Sequence, residues 1–140
     1  MAANTSPIFS RTPSFGLSDA TPIVTANTTT DLTAGTIYLL FTADATEGSY
    51  VDKIILQPLG TNVATAGRIW INNGATTATA TNNTQIKDVT LAATTVSQVA
   101  AVGNTEITLG FALPASYRIY MTLGTTVAAG FKSAVVAGTY

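Results

Sequence analysis

The side chains that come closest to a chemical motif are three carboxylates around a glycine, in the run ADATEGSYVDK. Asp44, Glu47 and Asp52 bracket Gly48 there, a pattern that could serve a calcium loop or a pair of catalytic carboxylates. The calcium loop of an EF-hand places ligands at alternate positions and ends in a glutamate at the twelfth, and this run does not have that spacing. We therefore interpret it as a surface turn with solvated charges, and we predict no metal and no cofactor.

The rest of the sequence argues against catalysis. The chain contains no histidine and no cysteine, so it lacks the usual general base and any thiolate for a metal or a disulfide. It also lacks a nucleophile elbow, a phosphate-binding P-loop and a dinucleotide fingerprint. Serine and threonine are plentiful, but no histidine or convincing lysine partner is present to activate them. We predict that the protein is not an enzyme.

The composition departs from that of an ordinary soluble monomer. Only 9% of the 140 residues are charged and 46% are hydrophobic, whereas soluble domains normally carry about 25% charged residues. A net charge of −1 leaves little electrostatic repulsion between copies. We therefore expect other subunits to cover much of the surface.

Two other classes of partner are disfavoured. The six basic residues are spread singly and form no run that would bind phosphates, so no nucleic acid partner is predicted. The longest apolar runs, Ile37 to Phe41 and Ala134 to Ala137, are far shorter than the ~20 residues of a membrane-spanning helix, so no membrane partner is predicted. Residues 1–16 contain one basic residue and no apolar run, and we expect no secretory signal there.

From Pro22 onward the sequence predicts β-structure, because Thr, Val, Ile, Tyr and Phe dominate short runs between Gly, Asn, Asp and Pro. The predicted strands cover 22–28, 36–43, 50–58, 68–72, 85–93, 106–113, 117–123 and 130–137. This series predicts an all-β fold, a two-layer antiparallel β-sandwich with the jelly roll as leading topology. Asn73-Gly74 predicts a tight reversal, and residues 74–83, which lack a large apolar side chain, are predicted as a loop.

Residues 1–20 are predicted to form an extended N-terminal arm, and residues 21–140 the β-sandwich domain. Prolines in the first segment disfavour a helix or a central strand. Its apolar residues, among them Ile8, Phe9 and Phe15, are of the kind that pure disorder would avoid. They predict an arm that docks on a neighbouring subunit. The alternative is a segment that lies on its own domain.

Period-2 alternation separates core faces from surface faces along the strands. The predicted core residues are Ile37, Leu39 and Phe41; Ile54 and Leu56; Ile69 and Ile71; Val89 and Leu91; Ile107, Leu109, Phe111 and Leu113; and Tyr117, Ile119, Met121 and Leu123.

The opposite faces of two strands carry residue types that are typical of interfaces. Arg68 and Trp70 share one face of their strand, and Arg118 and Tyr120 share one face of theirs. A solvated face would carry Lys, Glu or Asp, whereas Trp, Tyr and Arg are enriched where interfaces concentrate their binding energy. These four and the three apolar arm residues named above are the predicted subunit and capsid interface. In the alternative, Trp70 belongs to the far side of the core or packs under a loop.

Three stretches that cover more than half of the chain resemble small virion proteins of tailed bacteriophages. They are GSYVDKIILQPLGTNVATAGRIWINNG, LAATTVSQVAA and FALPASYRIYMTLGTTVAAGF. The features shared with that group are Gly48-Ser49-Tyr50-Val51, Pro58-Leu59-Gly60-Thr61-Asn62, Asn72-Asn73-Gly74 and Leu113-Pro114, and none of them is a catalytic signature.

The resemblance implies a head decoration or cement protein that clamps the lattice of the major capsid protein. Such proteins are β-rich and often homotrimeric. The implied location is the capsid surface of the virion, after synthesis in the cytoplasm of the host bacterium. A tail or head-fibre component would show the same resemblance.

A carbohydrate-binding or receptor-binding module is the main rival. β-Sandwiches often place Trp and Tyr on a flat face that stacks on sugar rings, and Trp70 and Tyr120 could form such a platform. A sugar platform must stay open to solvent, whereas an interface residue becomes covered on assembly. Exposure of the two rings therefore separates the two hypotheses.

Overall fold

The computed structural model describes residues 10–17 and 22–140, and the fold of this part of the chain is carried by β-strands. The strands are β1 (Thr12–Leu17), β2 (Tyr38–Thr42), β3 (Ser49–Pro58), β4 (Thr65–Asn72), β5 (Asn83–Leu91), β6 (Thr105–Leu113), β7 (Arg118–Leu123) and β8 (Phe131–Thr139). One turn of 3-10 helix, Ala80–Asn82, lies in the predicted loop between β4 and β5. Within the described ranges, no helix has the length and apolar character needed to cross a membrane.

The strands form two antiparallel sheets of four. The first sheet has the order β1-β8-β3-β6 and the second has the order β2-β7-β4-β5. The pairing is nested, because β1 pairs with β8, β2 with β7, β3 with β6 and β4 with β5. The predicted all-β, two-layer antiparallel sandwich is confirmed, and the nested pairing is compatible with a jelly-roll topology.

The core lies between the two sheets, where alternate residues of each strand point inward. In the first sheet, Ile54 is paired with Val135 and both are fully buried. In the second, Ile69 is paired with Met121 and both are again fully buried. Each such side chain contributes about 1.5–3 kcal/mol of transfer free energy before the entropy of ordering it is subtracted.

The prediction that Leu39 belongs to the core was wrong. The register between β2 and β7 shifts between Leu39 and Phe41, which marks a β-bulge. A bulge changes which residues share a face, because it adds one residue to one strand only. As a result Leu40 and Phe41 are both buried, while Leu39 is about half exposed.

The predicted strand over residues 22–28 was also wrong. Only Ile23 and Ala26 make bridges there, and both bridges are isolated. The side-chain amide of Asn27 donates hydrogen bonds to the carbonyl oxygens of Ala34 at 2.8 Å and Thr36 at 3.0 Å. These bonds fold residues 27–36 into a loop, and the segment does not form a continuous β-ladder with another strand.

β1 lies within residues 1–20, the segment that was predicted as an extended arm. β1 is extended, as expected, but it pairs with β8 of its own chain, in agreement with the alternative interpretation. Pro13 is tolerated because β1 is an edge strand. Ile8 and Phe9 lie outside the described residues, and their docking on a neighbouring subunit stays a prediction.

The two edge strands β1 and β2 meet closely at Gly16. A Cβ atom built on Gly16 would collide with the carbonyl oxygen of Leu40 and would lie 3.0 Å from a ring carbon of Phe41. We expect Gly16→Ala to lower the free energy of unfolding by about 1–3 kcal/mol, because a rigid backbone atom must move. Urea unfolding measures this change. Gly103→Ala is the matched control, since a Cβ there meets nothing within 4 Å; equal stability of the two variants would contradict the prediction.

Candidate interaction surface

β1 carries its large apolar side chains on the side away from the core. Phe15 is paired in register with Val136, the neighbour of the fully buried Val135. Because side chains alternate along a strand, Val136 and Phe15 point to the outer face of the first sheet. Phe15 is accordingly 62% exposed and Leu17, two residues later, is 70% exposed.

The outward side chains of β1 continue into an apolar surface on β8 and β3. Leu17 is paired with Ala134, which is paired in turn with Ile55. We call the five residues Phe15, Leu17, Ile55, Ala134 and Val136 the β1–β8 patch. This patch consists of apolar side chains on and beside β1, the edge strand of the sheet among the described residues, an arrangement that favours contact with another protein.

Charged side chains border the patch on the same face of the sheet, since Lys132 alternates with Ala134 and Val136 along β8. Lys53 of β3 is paired in register with Val136, and its ammonium group lies 3.2 Å from the carboxylate of Glu106 on β6. Both side chains are partly exposed, so the ion pair contributes at most about 1 kcal/mol to stability. The edge strand β1 itself has no ionisable side chain.

A second apolar surface lies on two loops, between β3 and β4 and between β5 and β6. Four of their large apolar side chains are exposed, and we call them the loop patch: Leu59, Val63, Val96 and Val99. Val99 is 96% exposed. An isolated bridge between Asn62 and Thr94 holds the two loops together. From Val89 to Thr105 the sequence has no ionisable residue, so the longer loop is uncharged throughout.

The side chain of Asn62 fixes the position of the loop patch. Its Oδ1 accepts hydrogen bonds from the N–H groups of Ala129 at 3.0 Å and Gly130 at 2.7 Å. Its Nδ2 donates to the carbonyl oxygen of Gly130 at 3.1 Å. Since the side chain is buried, these bonds form away from water and tie the β3–β4 loop to the β7–β8 loop.

Trp70 and Tyr120 are not available at the surface of this chain. They are 2% and 8% exposed, because the loop before β2 covers them with Leu32 and Ile37. The Trp70 indole donates a hydrogen bond to the Thr122 hydroxyl at 3.0 Å. The interpretation with Trp70 under a loop is therefore the one that holds in the single chain. The open platform that sugar binding requires is absent at these two rings.

The two arginines of the predicted interface lie on the same face as those rings and are only partly buried. Arg68 donates from Nη1 to the carbonyl oxygen of Asn27 at 3.4 Å, a weak contact with the covering loop. Arg118 is paired in register with Asn72 and with Thr42. The fold thus brings the four predicted interface residues onto one sheet, but it covers the two aromatic ones.

Of the three carboxylates around Gly48, Asp44 holds the turn together, Glu47 forms an ion pair and Asp52 lies on β3. Asp44 Oδ1 accepts hydrogen bonds from the N–H groups of Glu47 at 2.8 Å and Thr46 at 2.9 Å. These two bonds favour the ionised form and hold the pKa of Asp44 below its usual value. Glu47 pairs instead with Arg11, at 2.6 Å on the exposed surface.

The described residues form no cluster of three or more acidic side chains that could hold a metal ion. One surface cleft lies between β1 and β2, and another lies beside Phe131. Neither is lined by an ionisable side chain.

Sequence reasoning missed the whole loop patch as a candidate contact surface. The uncharged run of seventeen residues between Asp88 and Glu106 was a visible signal for the loop patch. The outward direction of β1 was not visible, because it depends on the pairing with β8. No protein-family model, no curated protein and no solved structure matches this chain.

Proposed function

We propose that this protein is a structural subunit of a virion, a capsid decoration or cement protein that binds and crosslinks major capsid proteins without catalysis. The observation that carries the proposal is the β1–β8 patch, where an edge strand exposes Phe15 and Leu17 to solvent. Exposed apolar side chains do not stabilise an isolated monomer. Burying each of them against a partner would stabilise the complex.

A cement protein needs at least two contact surfaces and a rigid body between them. The β1–β8 patch lies on a sheet face, whereas the loop patch lies on connections between strands. The sandwich core between the two sheets supplies the rigid body. Two apolar surfaces on one subunit allow it to join two neighbours, and a homotrimer of such subunits raises avidity further.

Low charge supports the same proposal. The chain has net charge −1 and 9% charged residues, so little repulsion opposes dense packing on a shell. The proposed location of the protein is the capsid surface of the virion, after synthesis in the host cytoplasm. A head-fibre or tail subunit would use the same contact chemistry, and an image of the particle that contains the protein separates these roles by position.

The test replaces the two most exposed side chains of the patch. We expect Phe15→Asp/Leu17→Asp to weaken association by roughly 10- to 100-fold, because each side chain contributes more than about 1 kcal/mol when covered at an interface centre. Light scattering over a concentration series measures self-association, and co-sedimentation with capsids stripped of decoration measures capsid binding.

The matched control adds the same charge to the other half of the sheet. Thr108→Asp/Ala112→Asp changes two exposed residues of β6, the edge strand opposite β1, and is expected to associate as the unchanged protein does. A strictly monomeric unchanged protein that is not retained on stripped capsids would overturn the proposed function. Equal weakening by both double variants would assign the effect to charge and remove the patch from the proposal.

A further inference from the structure

The turn after β4 contains Asn-Gly, the dipeptide in which asparagine deamidates most readily. In Asn73-Gly74 the glycine has no side chain to hinder attack of its backbone nitrogen on the preceding side-chain amide. We propose that Asn73 is the principal site of spontaneous deamidation in this chain, and that Asn72 and Asn82 restrain the reaction in the folded state.

The reaction requires only water as a co-reactant. The nitrogen of Gly74 loses its proton and forms a bond to Cγ of Asn73, while the Cγ–Nδ2 bond breaks and ammonia leaves with a proton. The cyclic imide that results has two carbonyl carbons. Water adds to one of them and opens the ring, which yields aspartate or isoaspartate. Each event adds one negative charge to a chain whose net charge is −1.

The attacking nitrogen is restrained by Asn72. The N–H of Gly74 donates a hydrogen bond of 2.8 Å to Oδ1 of Asn72. Asn72 is completely buried, and its Nδ2 donates to Oδ1 of Asn83 at 2.8 Å. The acceptor is therefore held in place, and Gly74 must break this bond before its nitrogen can turn toward Asn73.

The amide under attack is restrained as well. Oδ1 of Asn73 accepts a hydrogen bond from the N–H of Ala75 at 3.1 Å, and Nδ2 donates to Oδ1 of Asn82 at 3.1 Å. Asn82 is fixed in turn by its own Nδ2, which donates to the carbonyl oxygen of Thr76 at 2.8 Å. These bonds point the side-chain amide of Asn73 along the loop, although the residue itself is exposed.

The backbone adds a further constraint at the same place. Gly74 has a φ of +89°, in the region that glycine adopts easily, and a Cβ there would lie 2.9 Å from the carbonyl oxygen of Ser116. The turn therefore requires glycine at position 74, and this requirement places a glycine directly after Asn73. With three hydrogen bonds to break, each worth roughly a fivefold rate factor, the folded chain should react about a hundredfold more slowly than the unfolded chain.

The experiment compares one protein in two states. The full chain is incubated at mildly alkaline pH either folded or unfolded in concentrated urea, and peptide mass spectrometry follows conversion at every asparagine. We expect Asn73 to convert first in urea and about a hundredfold more slowly in the folded protein. If another asparagine converts first in urea, or if the folded and unfolded rates at Asn73 are equal, the proposal is overturned.

A second variant tests the restraint itself. Asn82→Ala removes the acceptor of the Asn73 side chain, and we expect it to speed conversion at Asn73 in the folded protein by about fivefold. Asn104→Ala, which removes an exposed asparagine from a different loop, is the matched control. Unfolding curves recorded beside the mass spectra establish that both variants are folded. An unchanged rate in folded Asn82→Ala would refute the role of Asn82.

Discussion

Replacing Asn62 with alanine is expected to lower the free energy of unfolding by about 3–5 kcal/mol. The buried side chain satisfies the N–H groups of Ala129 and Gly130 and the carbonyl oxygen of Gly130. Alanine leaves the two N–H groups without an acceptor, and each unsatisfied buried group costs about 1–3 kcal/mol. The carbonyl oxygen of Gly130 keeps the N–H of Leu59, at 3.0 Å, but loses its second donor. Water that enters the site recovers part of the loss, so the total falls below the sum of the separate costs.

Chemical denaturation with a fluorescence readout measures the effect of Asn62→Ala. Asn104→Ala is the control, because it removes an exposed asparagine from the neighbouring loop, and we expect a change within about 0.5 kcal/mol. Hydrogen exchange of the Gly130 amide supplies a local test, since this N–H should lose protection first. A stability equal to that of the unchanged protein would mean that the loop patch is held by other contacts.

Leu32→Ala is expected to cost about 2–5 kcal/mol and to shift the tryptophan emission to longer wavelength. Leu32 is 1% exposed and packs against Trp70 and Tyr120. Removing its side chain leaves a cavity or admits water beside the indole. Because Trp70 is the single tryptophan, the emission spectrum reports on this site alone.

The backbone at Leu32 allows a sharper version of the same test. Its φ of +63° is a conformation that costs a non-glycine residue about 1–2 kcal/mol. Leu32→Gly loses the same packing but relieves the strain, so it should be no less stable than Leu32→Ala. In an ordinary loop or strand position glycine would be the worse of the two. A markedly less stable Leu32→Gly would show that the residue is not strained in solution.

Alternation of apolar and outward residues predicted much of the sandwich. In several strands this pattern marks the core face whichever strand is the pairing partner. Ile119, Met121 and Leu123 alternate with outward residues in the sequence, and all three are fully buried in β7. In β3 the same alternation marks Ile54 and Leu56, which are also fully buried. Period-2 spacing suffices wherever one face of a strand meets the core.

The features that escaped prediction depend on contacts between distant residues or on side-chain hydrogen bonds. Residues 22–28 have the composition of a strand, but the amide of Asn27 binds carbonyl groups seven and nine residues later and folds the chain into a loop. That loop then covers Trp70, so the tryptophan is buried on the outer face of its own sheet. No local pattern around Trp70 contains this information, because the covering residue, Leu32, is remote in sequence.

Sequence reasoning named one residue of the β1–β8 patch as a contact residue but not the neighbours that surround it. Low charge indicated an assembly, and Phe15 was named among the contact residues. The neighbours that make Phe15 part of a surface are Ala134 and Val136, which come from the last strand. Their contribution follows from the pairing of β1 with β8, which composition cannot reveal.

The nested pairing has a consequence for how the protein is made. Thr12 faces Thr139 in the finished sheet, so β1 has no partner there until the ribosome has translated β8. At about 5–20 residues per second, β1 waits on the order of ten seconds, with Phe15 and Leu17 uncovered on a nascent chain. β1 is therefore expected to join the first sheet only after β8 has been translated.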